Sequence, residues 1–306
     1  MRFRLTRSRD ARRTALLELN PWARADDGLP GARDIAPADQ LAQARRIAVR
    51  ARLACGHRAW NEWAIAMLSL RRQVERETET LAIWREFATT DIAGVVFRKD
   101  CIFADFLFPG PLDVSGAHFA VDAWFSAARF ADRVDFSGAV FDGDGFFEHA
   151  EFGKVACFDR TRWSCDAQFR MSRFKDSASF REARFDRDAW FIGSQFEAAL
   201  SFAAAQFVGA AGLDNCDYRG SCEFMLARFL GNAGFGHARF TGPAQFDDAR
   251  FERKAWFNQA SFKAPASFDR TRFAGDTDFA GVSFVNKPAV VDAIAALGRE
   301  LADRGL

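Results

Sequence analysis

The chain of 306 residues has a single Tyr, four His and a formal net charge of only +1. Each scarcity excludes something. Balanced charge, 42 basic against 41 acidic residues, selects neither a nucleic-acid nor a membrane partner by bulk field. No apolar run approaches the 18 or more residues of a membrane span. Met1 to Arg13 carries six arginines and no apolar stretch, so it does not read as a secretory signal. The four His form neither H-E-x-x-H nor H-x-x-E-H, and the six Cys show no C-x-x-C spacing. No disulfide framework, zinc site, phosphate loop, G-x-S-x-G or dinucleotide fingerprint is present in the sequence. Asp142-Gly143-Asp144-Gly145 lacks the further ligands of a calcium loop and reads as a solvated corner. The expectation is therefore no cofactor, no metal, no enzyme, and a reducing, cytoplasmic setting.

Against the one Tyr stand 35 Phe, and they are periodic. From Phe119 the positions run Phe125, Phe130, Phe136, Phe141, Phe147, Phe152 and Phe158, in steps of 6 and 5, and the register continues through Phe185 and Phe191 to Phe284. Of 31 such positions 28 are Phe, the others being Trp163, Leu213 and Tyr218. The residue two before each is Ala in 20 cases and Gly, Ser, Thr or Cys in eight, with only Val134, Leu200 and Val282 outside the rule. The unit is A-x-F-x-x-x-A-x-F-x-x. Extended backwards, the register reaches Ile92, but Phe106 and Leu112 occupy small-residue slots and Pro109-Gly110-Pro111 interrupts, as expected of an atypical first coil.

An 11-residue period can signal a right-handed coiled coil. Here steps of 5 and 6 would scatter the rings about 140° and 240° apart on a helix, at ~100° per residue, so no seam forms. Seventeen Gly and four Pro between 92 and 284 also oppose a helix. In an extended chain, residues i and i−2 point to the same side. Each A-x-F then sends one small and one large side chain inward before the chain turns a corner. The resulting expectation is an all-β solenoid.

Units such as Ala183-Arg184-Phe185 and Ala249-Arg250-Phe251 resemble those of the pentapeptide-repeat family. The resemblance implies a right-handed quadrilateral β-helix with four units per coil. The extra residue in every second unit makes the coil 22 residues instead of 20, so two of four corners should be bulged. Thirty-six register positions from 92 to 284 make nine coils, a rod of roughly 40 Å at about 4.8 Å per coil. Phe suits a stacked interior, whereas a Tyr hydroxyl without a buried partner costs roughly 1–3 kcal/mol.

The organisation expected is a basic, poorly ordered segment at 1–35, a helical cap at 36–90, the solenoid at 91–285 and a C-terminal helix at 286–306. The cap shows helical spacing through Leu41, Ala44, Ile47 and Ala48, then Trp60, Trp63, Ala64, Met67 and Val74, with Gly56 between two helices and Ile83, Trp84 and Phe87 as a last apolar patch. After Pro288, the residues Val290, Ile294, Leu297 and Leu301 share one helical face, which caps the last coil or, as in some members of the resembled family, pairs with a second copy.

With 22 residues per coil, outward positions stack into columns. One column reads Val140, Arg162, Arg184, Gln206, Arg228, Arg250, Arg272; on the neighbouring face another reads Trp124, Phe146, Gln168, Trp190, Gly212, Gly234, Trp256. Exposed Trp and Arg are hot-spot residue types, so Trp124, Phe146, Trp190, Trp256, Arg162, Arg184, Arg228, Arg250 and Arg272 are the candidate partner-binding residues. The function expected is a non-enzymatic, rigid protein-interaction scaffold with an unidentified protein partner. The resemblance brings a second reading, a DNA-mimicking regulator of a topoisomerase, but residues 92–284 hold 26 acids against 22 bases, too weak a field for that role. A third, a membrane-associated structural protein, is opposed by the mixed signs of Glu62, Arg71, Arg72 and Glu75. The same net −4 of the solenoid argues against a nucleic-acid partner.

Overall fold

In the computed structural model, residues 47–49, 51–76, 81–289 and 291 are described. The basic segment 1–35, Leu41, Ala44, and residues 290 and 292–306 of the C-terminal helix expected at 286–306 lie outside them.

From Thr90 to Phe284 the chain forms 36 strands of two residues each. Every fourth strand falls in the same sheet, which gives four parallel nine-stranded sheets. They begin at β1 (Thr90–Asp91), β2 (Val96–Phe97), β3 (Cys101–Ile102) and β4 (Leu107–Phe108), and are here called the first to fourth faces. Partners sit 22 residues apart, as in Val140↔Arg162 and Phe141↔Trp163. The molecule is thus a quadrilateral parallel β-solenoid of nine coils. Pro109-Gly110-Pro111 does not break it: Leu112 pairs with Thr90 on one side and Val134 on the other.

The interior is the Phe register. Phe119, Phe125, Phe136, Phe141, Phe147, Phe152, Phe158, Phe185 and Phe191 are fully buried, and Phe130 is 1% exposed. Rings one coil apart stack, as in Phe125 on Phe147 (centroids 4.8 Å, 9°) and Phe229 on Phe251 (4.6 Å, 1°). Rings on adjoining faces meet edge-on, as in Phe119 against Phe125 at 84°, and so do rings on opposite faces, as in Phe136 against Phe147 at 83°. Both arrangements suit the aromatic quadrupole. Trp163 takes its place in the stack 3.9 Å from Phe141, and it fits because the neighbouring small slot holds Gly145, where a Cβ would collide with the indole.

The corners alternate in kind. Five-residue steps close with a backbone bond from residue i+3 to residue i, such as Ala128 N–H to Phe125 O at 3.0 Å, around a left-handed residue such as Ala127 (φ 56°). That is the type II pattern, which asks for positive φ at its third position. Thirteen non-Gly residues accept it, including Met171 and Leu226. Isolated, each such residue costs about 1–2 kcal/mol, so coil stacking must over-determine the backbone there. Six-residue steps make the other two corners, and these hold the extra residue.

Small polar residues in the inward slots are satisfied locally. Ser172 and Ser194 hydroxyls donate to Phe147 O and Phe169 O at 2.6 Å, and the Cys216 thiol donates to Phe191 O at 3.0 Å. Tyr218 is different. Its hydroxyl is buried without a good hydrogen bond, with the Cys216 thiol as a poor neighbour, although its ring stacks on Phe240 at 4.6 Å. Tyr218→Phe should therefore stabilise the protein by about 1 kcal/mol, since it removes an unpaired buried hydroxyl and keeps the ring. Urea denaturation compares the two midpoints, and a destabilised variant would show that the hydroxyl is satisfied after all.

The N-terminal end is closed by α1 (Gly56–Arg76) and α2 (Ala82–Ala88). A turn at Cys55, followed by Gly56 at φ +83° as the first residue of α1, separates α1 from the helical residues 51–54. Trp60, Ala64 and Met67 are buried on one side of α1, and Trp84 donates its Nε1–H to Met67 O at 2.7 Å. The cap also treats the open sheet edge chemically. Trp60 Nε1–H donates to Leu107 O at 2.8 Å, while Asn61 accepts from Leu107 N–H at 2.8 Å and donates to Asp105 O at 2.9 Å. Phe106 fills its small slot without strain on the coil because it packs on Trp60, with centroids 5.9 Å apart.

Candidate functional site: two adjoining faces

The Arg column lies on the second face and the aromatic column on the third, joined by a six-residue corner. Each residue between a small slot and a Phe must point outward, so the strand alternation places both columns.

The structure separates the Arg column into two parts. Asp186 engages both Arg184 (2.6 Å) and Arg162 (3.4 Å), and Arg184 Nη1–H also donates to Gln206 at 2.9 Å. Nearby, His118 bonds Asp142 at 2.6 Å and holds that carboxyl below its ordinary range. Arg228, Arg250 and Arg272 stack in direct register higher up, and among the described residues no carboxylate lies within ion-pair distance of any of them. They line a groove of about 620 Å³ together with Leu226, Asp248 and Arg270. Arg270 spends its charge on Asp248 through two bonds, at 2.8 and 2.6 Å.

The aromatic column is also uneven. Trp124 stacks on Phe146 with centroids 3.9 Å apart. Trp190 is half-buried: the Arg170 guanidinium covers it at 5.0 Å, and its edge fills the space a side chain at Gly212 would need. Trp124 and Trp256 remain 36% and 37% exposed, so the described helices α1 and α2 do not cover them.

Sequence reasoning missed a set of carboxylates at the corner between these faces. Asp122, Asp144, Asp166 and Asp188 each accept a backbone N–H from the following coil, at 2.9, 2.9, 3.2 and 2.8 Å. Their 22-residue spacing was readable; their inward aim onto backbone was not. Burial and the neighbouring aspartates push the Asp166 carboxyl up. These acids serve the fold and offer little field to a ligand.

For chemistry there is little material. Among the described residues no group of three or more His, Cys, Asp or Glu could hold a metal ion. Burial pushes the thiols of Cys101 and Cys216 up to about 12, far from the range of a reactive thiolate. No described helix is long and apolar enough to cross a membrane.

The class is thus a repeat protein, a four-sided parallel β-solenoid whose outer faces carry ordered columns of side chains. A model of pentapeptide repeats (9 copies) matches residues 147–195 and 235–283, the same family that the A-x-F units resemble. The stretch between the two matches contains Leu213 and Tyr218, where the Phe register lapses. No curated protein and no solved structure matches the chain.

Proposed function

We propose that this protein is a non-enzymatic scaffold that holds a protein partner against its second and third faces. The observation carrying the reading is the conjunction of two adjoining columns, one with three unpaired Arg and one with exposed Trp124 and Trp256, on a single rigid body. Arg and Trp are the types that dominate binding hot spots. The topoisomerase-directed alternative has less support, because many of the solenoid's acids are turned onto its own backbone or Arg side chains.

The test is capture from lysate of the source cells, with wild type, Trp124→Ala/Trp256→Ala and Arg250→Ala, each with and without nuclease. A protein retained by wild type and lost by both variants is the expected result. Capture that disappears with nuclease reassigns the faces to nucleic acid, and empty lanes for wild type defeat the scaffold reading.

A further inference from the structure

We propose that the strip formed by Arg228, Arg250 and Arg272 is a docking site for an acidic α-helix of a partner protein, lying parallel to the rod axis. The inference rests on the scaffold reading and deepens it by naming the partner's chemistry.

Three guanidinium groups in direct register repel one another, and like charges opposed on neighbouring strands are destabilising. Elsewhere on this face the fold resolves that repulsion itself. Arg162 meets Asp186, which lies 24 residues further along, and His118 meets Asp142 at the same offset. On the fourth face Arg173 meets Glu197, and Lys175 meets Glu151, again 24 apart. Glu252 stands to Arg228 and Arg250 as Asp186 stands to Arg162 and Arg184, yet it is exposed and makes no ion pair with either of them. The pairs that hold Arg162 and Arg184 are thus not made by the strip's Arg among the described residues, beside the groove of about 620 Å³.

Spacing decides the ligand. The three Arg span two coil intervals, about 9.6 Å at ~4.8 Å each. On a helix parallel to that axis, carboxylates at i, i+4 and i+7 face one side and span about 10.5 Å at ~1.5 Å per residue. Flexible Arg side chains absorb a mismatch of that size. An extended strand repeats same-side residues every ~6.7 Å and would overshoot to about 13 Å. Duplex DNA repeats a phosphate every ~3.4 Å per strand and presents two strands. The strip is only one column wide, with Asp248 on one border and Glu252 on the other, which suits a single row of carboxylates and repels a second row of anions. At the N-terminal end of the strip, Leu226 is 57% exposed and offers an apolar contact for the helix's flank.

The test uses the full protein and two fluorescent, helix-stapled 18-residue peptides of one composition. One has Glu at positions 5, 9 and 12; the other has Glu at 5, 7 and 9, a row only if the chain is extended. Anisotropy should show the first bound about tenfold tighter than the second, a difference near 1.4 kcal/mol. Arg250→Gln should weaken it about fivefold or more, Arg129→Gln on the fourth face should not, and added salt should weaken it. Equal binding of the two peptides, no binding of the first, or Arg250-dependent binding of tripolyphosphate in its place would overturn the proposal. If the peptides fail but lysate capture still depends on Arg250, the helix is wrong and the scaffold stands. If wild-type capture is empty as well, both fall.

Discussion

Phe185→Asp is expected to split the rod into two separately melting blocks. Phe185 is fully buried, stacked on Phe207 at 4.8 Å and edge-on to Phe191 at 88°. The rings around it include Trp163, whose indole N–H is already spent on the Thr161 hydroxyl at 3.0 Å, and no cation is among them. An unpaired buried charge costs several kcal/mol even after its pKa rises to neutralise it, which places the variant in the exceptional range above about 4 kcal/mol. A solenoid's stability is a sum over coils and their nearest neighbours. The damage is therefore local in position but severs the coupling between the coils on either side. Far-UV circular dichroism on heating should show two transitions where wild type shows one. Phe185→Leu should keep a single transition, lowered by about 1–2 kcal/mol through the lost ring contacts. A single, wild-type-like melt for the Asp variant would refute the ring-stack account of stability.

Trp60→Ala should be the next most damaging change, by about 3–5 kcal/mol. Trp60 is fully buried, meets Trp63 edge-on at 4.9 Å and Phe108 at 5.6 Å, and donates to Leu107 O. Its loss opens a cavity over the first coil and leaves the carbonyl of an edge strand without its donor. Unpaired sheet edges template association with other chains, so light scattering should detect oligomers before the solenoid itself melts. Trp60→Phe separates the two effects: it keeps a ring but removes the indole N–H, and about 1–3 kcal/mol should be lost. If Trp60→Ala stays monodisperse and fully cooperative, the helices are not the cap that the geometry describes.

The architecture was legible in the sequence because a two-residue alternation and an 11-residue period leave few ways to fold. Phe125 and Ala123 could be placed inward from spacing alone, and so could the outward Arg and Trp columns. The left-handed corners were hidden. Met171, Glu182 and Leu226 carry no turn signature, because the stacked coils above and below enforce a backbone that their own preferences oppose. Gly145 looked like one more small residue, yet it is the space into which the indole of Trp163 fits. Which Arg are compensated was equally out of reach: Asp186 serves Arg162 and Arg184 across coils, a relation that depends on side-chain direction as well as register. The edge chemistry of Trp60 and Asn61 joins residues more than 40 apart and has no local signal.

Because each strand meets its partners at an offset of 22 residues, the rod is divisible. Excising one coil's worth of chain from any interior point rejoins a five- or six-residue corner to its own kind and keeps every ring above a ring. Excising one residue fewer turns a whole sheet inside out. The length of such a protein can therefore change by duplication or loss only in quanta. Each quantum slides the upper columns toward or away from the N-terminal cap by one strand spacing, about 4.8 Å, without altering the faces themselves.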